Sequence, residues 1–261
     1  MSHLSFVNWN IRVGTGKVAV DRCVSRLTAR GWVGTHSVAE VLCRRGEGDT
    51  PWEPALAALA GLFGQHTGGR ARVVLSNSLV RYAVLPGNLV LAGAEEERIF
   101  LMHRFRQLYG EASAGWQMRC EHALADRARL ASAVDGRFIS ALGGLLRAAQ
   151  IGHYSLVPAL AETLGRYRSR LDRPNAWLVS HDDGTLCVTR WHNWEWMAAR
   201  SLRGDTGWRT ALPAVLAREE CLHDAPSAAD TVFIDAGDDD GELPTLPGWT
   251  VVPLRAHEET E

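Results

Sequence analysis

Two short turns carry the residues best suited to holding a phosphate. One is Gly14-Thr15-Gly16-Lys17, set between the apolar stretches Val7 to Val13 and Lys17 to Cys23; the other is Asp182-Asp183-Gly184-Thr185. Consecutive backbone amides in such turns can bind phosphate oxygens, and carboxylates beside them would position a metal ion and an attacking water. The neighbouring residues argue against that chemistry. Asn8 and Asn10 stand where an aspartate is wanted, and an amide can neither act as a base nor match a carboxylate as a magnesium ligand. As a Walker loop the first turn also fails, because Ile11 replaces the leading glycine and Val18 the hydroxyl residue after the lysine. Both segments are therefore expected to be plain hairpin turns, Asp-Gly being a common hairpin signal. The alternative is an ATP-binding, actin-like ATPase or kinase-like phosphotransferase with a degenerate site at Gly14, Thr15, Gly16, Lys17, Asp182, Asp183, Gly184 and Thr185, taking ATP with magnesium.

Other candidate chemistries are weaker. A two-metal nuclease needs carboxylates converging from the first strands, and Asp21 alone cannot assemble one. The acidic stretch Asp235 to Glu242 fails as a calcium loop, since in that register Ala236 would be the first ligand and Pro247 the last; a solvated turn is expected. His181 beside Asp182, with Cys187 on the next strand, invites general-base chemistry, but adjacent strand residues point to opposite faces. Five cysteines without a CxxC pair are expected to be reduced, mostly buried small hydrophobes. No catalytic residue and no metal site is assigned. Trp191, Trp194 and Trp196 surround the His192-Asn193 turn, where cross-strand packing is expected and a partner-binding patch is the alternative.

The elements that must position these residues follow from apolar spacing. The 261 residues are 46% hydrophobic and 22% charged, enough for a globular protein of one large or two small domains. Only Lys17 among 28 basic residues is a lysine, and this arginine bias gives no support to nucleic-acid binding. Residues 230 to 261 hold nine carboxylates against Arg255, leaving the body at about +6. No apolar run approaches the roughly 18 residues that cross a bilayer, so a cytoplasmic chain is expected. Strands are predicted at Val7 to Val13, Lys17 to Cys23 and Ser37 to Cys43. Thr50-Pro51-Trp52-Glu53 then reads as a capping box opening a helix over 51–66. Arg72 to Asn77 and Leu79 to Leu85 read as a strand pair, followed by a helix led by Glu95-Glu96-Glu97 and stopped at Gly110. Strands at Trp116 to Glu121 and Arg129 to Val134 precede a helix through Phe138, Leu142, Leu145 and Ala149, in which Gly143-Gly144 predicts close packing or a kink. Pro158 opens a helix carried by Leu160, Leu164, Tyr167 and Leu171.

After Asp172-Arg173-Pro174-Asn175 a meander is predicted through Ala176 to His181, Thr185 to Trp191 and Trp194 to Leu202. A helix through Trp208, Leu212, Val215 and Leu222 follows, then strands at Thr231 to Asp235 and Trp249 to Leu254. Both halves thus open with three strands, a helix and a strand. Two βββαβ units predict an α/β, actin-like architecture of duplicated ribonuclease-H-like units in two lobes, 1–172 with inserted elements and 173–261 smaller, with an acidic tail.

Arg72 to Pro86 (RVVLSNSLVRYAVLP), the acidic helix, and Phe105 to Arg119 (FRQLYGEASAGWQMR) resemble the PilM-like actin-related proteins of type IV pilus assembly. The cytoplasmic domain of the type II secretion protein GspL is a more distant likeness. Leu130 to Asp135 (LASAVD), the Trp177 to Arg203 meander and Gly248 to Leu254 (GWTVVPL) continue the resemblance. It implies a cytoplasmic scaffold, peripheral to the inner membrane, that binds the cytoplasmic tail of a membrane protein and meets the membrane only through it; with Asn8 and Asn10 in place of acidic residues the scaffold is expected to be non-catalytic, and a second copy is the alternative partner. Several members bind ATP between their lobes. The resemblance places the partner groove in the first lobe, where Val80, Arg81 and Tyr82 form the expected binding strand: Tyr82 an amphipathic anchor, Arg81 a fixed charge. The alternative for Tyr82 is ordinary core.

Overall fold

Alternating apolar residues on the first two strands send Trp9, Ile11, Val13, Val18 and Val20 to one face, and those side chains are buried. The computed structural model describes residues 5–28, 31–46, 48, 50–64, 66–87, 93–121, 127–204, 207–222, 231–237 and 241–255. Strands β1 (Ser5–Val13), β2 (Lys17–Thr28) and β3 (Gly31–Leu42) form an antiparallel meander. Helix α1 (Glu53–Phe63) leads to β4 (Arg70–Leu75), which lies parallel to β1. Next come β5 (Val80–Leu85), α2 (Ala94–Tyr109), β6 (Trp116–Cys120), β7 (Arg129–Asp135), α3 (Gly136–Ala148), β8 (His153–Pro158) and α4 (Ala159–Arg166). The second half contains the meander β9 (Ala176–Asp182), β10 (Thr185–His192) and β11 (Glu195–Arg203), then α5 (Trp208–Leu222), β12 (Thr231–Asp235) and β13 (Thr250–Pro253).

The two five-stranded sheets have the same plan. Their orders are β3-β2-β1-β4-β8 and β11-β10-β9-β12-β13, each a meander whose first strand pairs in parallel with the strand after the helix. The expected βββαβ duplication is present, extended in each half by a fifth, parallel strand. A third sheet, β5-β7-β6, has its own core with Leu101 and Phe105 of α2.

Several local expectations change. Arg72 to Asn77 and Leu79 to Leu85 are not a pair: β4 joins the first large sheet and β5 the inserted one, because the Ser76-Asn77-Ser78 turn redirects the chain between them. Strand β8 carries no sequence signal because its first three residues, His153, Tyr154 and Ser155, are exposed at a sheet edge. At α1, Thr50 makes no side-chain cap; Trp52 is the N-cap and Pro54 lies in the first turn, so the helix starts two residues later than predicted. A Cβ on Gly143 would lie 3.0 Å from the Tyr154 hydroxyl, whereas one on Gly144 would meet open space, so close packing holds at the first glycine alone.

One apolar cluster joins the two large sheets. It contains Ile11, Val73 and Leu160 from the first half together with Leu178, Cys187 and Phe233 from the second. Trp9 meets Phe63 edge to face at 5.3 Å and Trp52 meets Phe138 at 5.7 Å, fixing α1 and α3 on the first sheet.

Candidate functional site

The two candidate turns face each other across the lobes. Asp183 and Gly184 form the two-residue loop between β9 and β10, and both have left-handed backbones, φ 50° and 64°, as a type I′ hairpin requires. The loop Gly14-Thr15-Gly16 is closed by the Gly14 amide donating to the Lys17 carbonyl at 2.9 Å. Four donors of the first lobe converge on the Asp183 carboxylate. The Thr15 amide donates to Oδ2 at 2.6 Å, the Thr15 hydroxyl to Oδ2 at 3.1 Å, the Gly16 amide to Oδ1 at 3.0 Å, and the Ser78 hydroxyl to Oδ2 at 2.5 Å. The glycines make room for this approach: a Cβ on Gly16 would lie 2.9 Å from Oδ1, and one on Gly14 would collide with the same carboxylate.

Beside this contact lies a cleft of about 750 Å³, lined from both halves by residues that include Arg12, Lys17, Glu162, Arg166, Asp182 and Asp235. Its charges are largely paired. Arg12 sits 3.7 Å from both Glu162 and Asp182, Arg166 is 3.1 Å from Glu162, and Lys17 is 2.8 Å from Glu40. The Thr163 hydroxyl donates to Asp235 at 2.9 Å. Burial pushes the Asp182 carboxyl above the usual range, against the opposing pull of Arg12. Among the described residues, no group of three or more His, Cys, Asp or Glu is placed to hold a metal ion. ATP with magnesium, which an actin-like architecture would imply, does not fit this arrangement, because the amides that would take a phosphate are engaged by Asp183.

Of the eight turn residues, Thr15, Gly16 and Asp183 meet directly, and Gly14 flanks them. Lys17 and Asp182 line the cleft nearby. Thr185 is buried opposite Asp182 in the β9–β10 ladder, and the Gly184 carbonyl accepts from the Gly204 amide, so both serve the hairpin. The strand expected to meet a partner, Val80 to Tyr82, lies largely inside the fold. Val80 is buried, and Tyr82 is 2% exposed, with its hydroxyl donating to Asn77 Oδ1 at 2.9 Å and accepting from the Leu160 amide; its polar end is satisfied inside the fold. Arg81 donates to the Ser78 and Val80 carbonyls. His181 stacks on Trp208 at 5.1 Å and bonds the Gly204 carbonyl, while burial holds the Cys187 thiol at about 12. Trp191 and Trp196 pack edge to face across the hairpin, and Trp194 is 51% exposed. Residues 238–240 of the acidic loop and 256–261 of the tail lie outside the described residues.

Sequence reading missed Ser78, Asn77, Ser180 and Arg12. Asn77 donates to the Ser180 hydroxyl at 3.1 Å, a second polar bond between the halves. The serines on either side of Asn77 were the available signal, a polar break between two strand-forming runs, but nothing local reveals what such a break faces.

No family model matches the sequence, and no curated protein does so either. Solved structures do. A protein of unknown function from Bacteroides thetaiotaomicron with an actin-like ATPase fold is 12% identical, with a TM-score of 0.55 over 90% of this chain and 83% of that one. The cytoplasmic domain of EpsL, an inner-membrane component of the type II secretion system of Vibrio cholerae, is 12% identical, with a TM-score of 0.54 over 95% and 90%. The PilM–PilN type IV pilus biogenesis complex gives 14% identity and a TM-score of 0.57 over 87% and 80%. The fold is the actin-like one, duplicated as the strand orders show.

Proposed function

We propose that this chain is a non-catalytic component of an inner-membrane assembly platform, of the type IV pilus or type II secretion kind, which binds the cytoplasmic tail of a membrane partner. It works on the cytoplasmic side and reaches the membrane through that partner. The fold shared with EpsL and with the PilM–PilN complex supports the setting. The observation that carries the non-catalytic reading is the Asp183 carboxylate on the Thr15 and Gly16 amides, where a nucleotide phosphate would have to bind.

The partner tail is assigned to a free strand edge, where main-chain bonds give affinity and side-chain pockets give specificity. Strand β5, the end strand of the inserted sheet, is a poor candidate, since it lies close to β11 and its Val80 and Tyr82 are buried. Strand β3 ends the first sheet, and its Val33, Val38 and Leu42 are 51%, 75% and 78% exposed. Replacing Val38 and Leu42 together by lysine is expected to reduce partner recruitment roughly tenfold or more, since edge lysines block strand addition. Unfolding should shift by no more than about 0.5 kcal/mol, as these are surface positions. Unchanged recruitment excludes this edge, and steady-state, magnesium-dependent ATP hydrolysis by the unmodified chain excludes the non-catalytic reading.

A further inference from the structure

The donors around Asp183 constitute a receptor whose chemistry does not depend on what fills it. Two consecutive amides and two hydroxyls point at one anionic group, all within 3.1 Å of a carboxylate oxygen. Phosphate and sulfate present the same kind of oxygen edge to such a set, and successive turn amides bind all three anions. All four donors belong to the first half, whereas the acceptor comes from the second, 168 residues away from Thr15. The occupant is therefore a tethered ligand, and tethering raises its effective concentration far above that of a free ion.

We infer that the Gly14-Thr15-Gly16 turn with Ser78 is an oxyanion receptor that the chain fills from within, Asp183 acting as an internal ligand that clasps the two lobes together without a nucleotide. The inference rests on the reading of the cleft proposed above and adds the ligand class of the site: a carboxylate by construction, inorganic phosphate or sulfate when the tether is cut. Two features of the sequence then have one cause. Gly14 and Gly16 leave space for a carboxylate that a Cβ would strike, and the Asp-Gly turn lifts that carboxylate from a left-handed backbone onto the Thr15 and Gly16 amides.

Asp183→Gly in the full chain empties the receptor without straining the hairpin, because glycine accepts the φ of 50° more readily than aspartate. In chloride buffer this variant is expected to melt about 5 °C below the unmodified protein, as loss of charge-assisted bonds implies for a chain of this size. Its hydrogen exchange should rise over residues 14–18. Inorganic phosphate at about 20 mM and matched ionic strength should restore at least about half of the loss, as expected of a millimolar ligand. The unmodified protein, shifted by about 1 °C or less, controls for general salt stabilisation. Unchanged melting and exchange in the variant would remove the clasp; a loss that phosphate restores no better than it stabilises the unmodified chain would remove the receptor. Gly14→Ala gives a second route: it should destabilise the unmodified chain and cost little in the Asp183→Gly background, and additive losses would overturn the inference. ATP hydrolysis by the unmodified chain bears on the proposed function, whereas these measurements bear on the clasp.

Discussion

At the Asp182-Asp183 pair, neighbouring carboxylates meet opposite surroundings. Asp183 is held by four donors of the first lobe, while Asp182 is buried in the cleft wall with Arg12 at 3.7 Å, and burial outweighs the opposing pull of Arg12, the Ser76 hydroxyl and the Asn77 amide. Burial raises the Asp182 carboxyl above its ordinary 3.8, so the folded chain holds that proton more tightly than the unfolded chain does. Its contribution to stability is therefore complete below pH 3.8 and is lost as pH rises through the raised value. Asp182→Asn, which keeps the shape of the protonated acid, should gain melting temperature relative to the unmodified protein as pH rises from 4 to 7. Thermal unfolding of both across that range checks it, and a difference independent of pH would refute the assignment. Part of this pair's role was legible in the sequence. Both aspartates were singled out from the sequence, but their different roles depend on which face of the hairpin meets the first lobe.

Among the elements, the β10–β11 hairpin shows a local rule set aside. Its Asn193-Trp194 loop has φ of 51° and 63°, the type I′ geometry in which glycine is favoured at the second position. A left-handed backbone costs an L-residue about 1–2 kcal/mol, and the 51% exposed Trp194 regains little of this by burial. Trp194→Gly is therefore expected to stabilise the protein by about 1 kcal/mol, read as a higher urea midpoint at unchanged m value. The Trp191–Trp196 contact, at 5.9 Å, should persist. Helices α3 and α5 and strands β1 and β2 could be read from apolar spacing, because each buries a recurring set of apolar positions. The same rule could not find β8, whose exposed first half has no such set.

For the whole molecule, the continuous core predicts cooperative behaviour. Since one apolar cluster includes residues of both large sheets, calorimetry should show one transition with equal calorimetric and van't Hoff enthalpies. Polar bonding reinforces the joint: Asn77 accepts from Tyr82 and donates to Ser180, linking β5 to β9 through the turn between β4 and β5. Asn77→Ala should cost about 2–3 kcal/mol, the penalty of a buried hydroxyl pair losing its partner, and should lower that single transition rather than split it. Two separate transitions would show the lobes to be independent.

By itself the sequence determined the duplicated βββαβ plan, because strand alternation, helical spacing and turn glycines are short-range patterns that survive without sequence identity between the halves. It also singled out the Gly14–Lys17 and Asp182–Thr185 turns as hairpins of special composition. Only the tertiary structure decided that Asp183 fills the first turn, that Tyr82 belongs to the core and that β4 and β5 part company. Each of these depends on which surfaces meet after the chain has folded back over a long separation, 168 residues between Thr15 and Asp183 and 103 between Asn77 and Ser180, and local periodicity carries no record of such meetings.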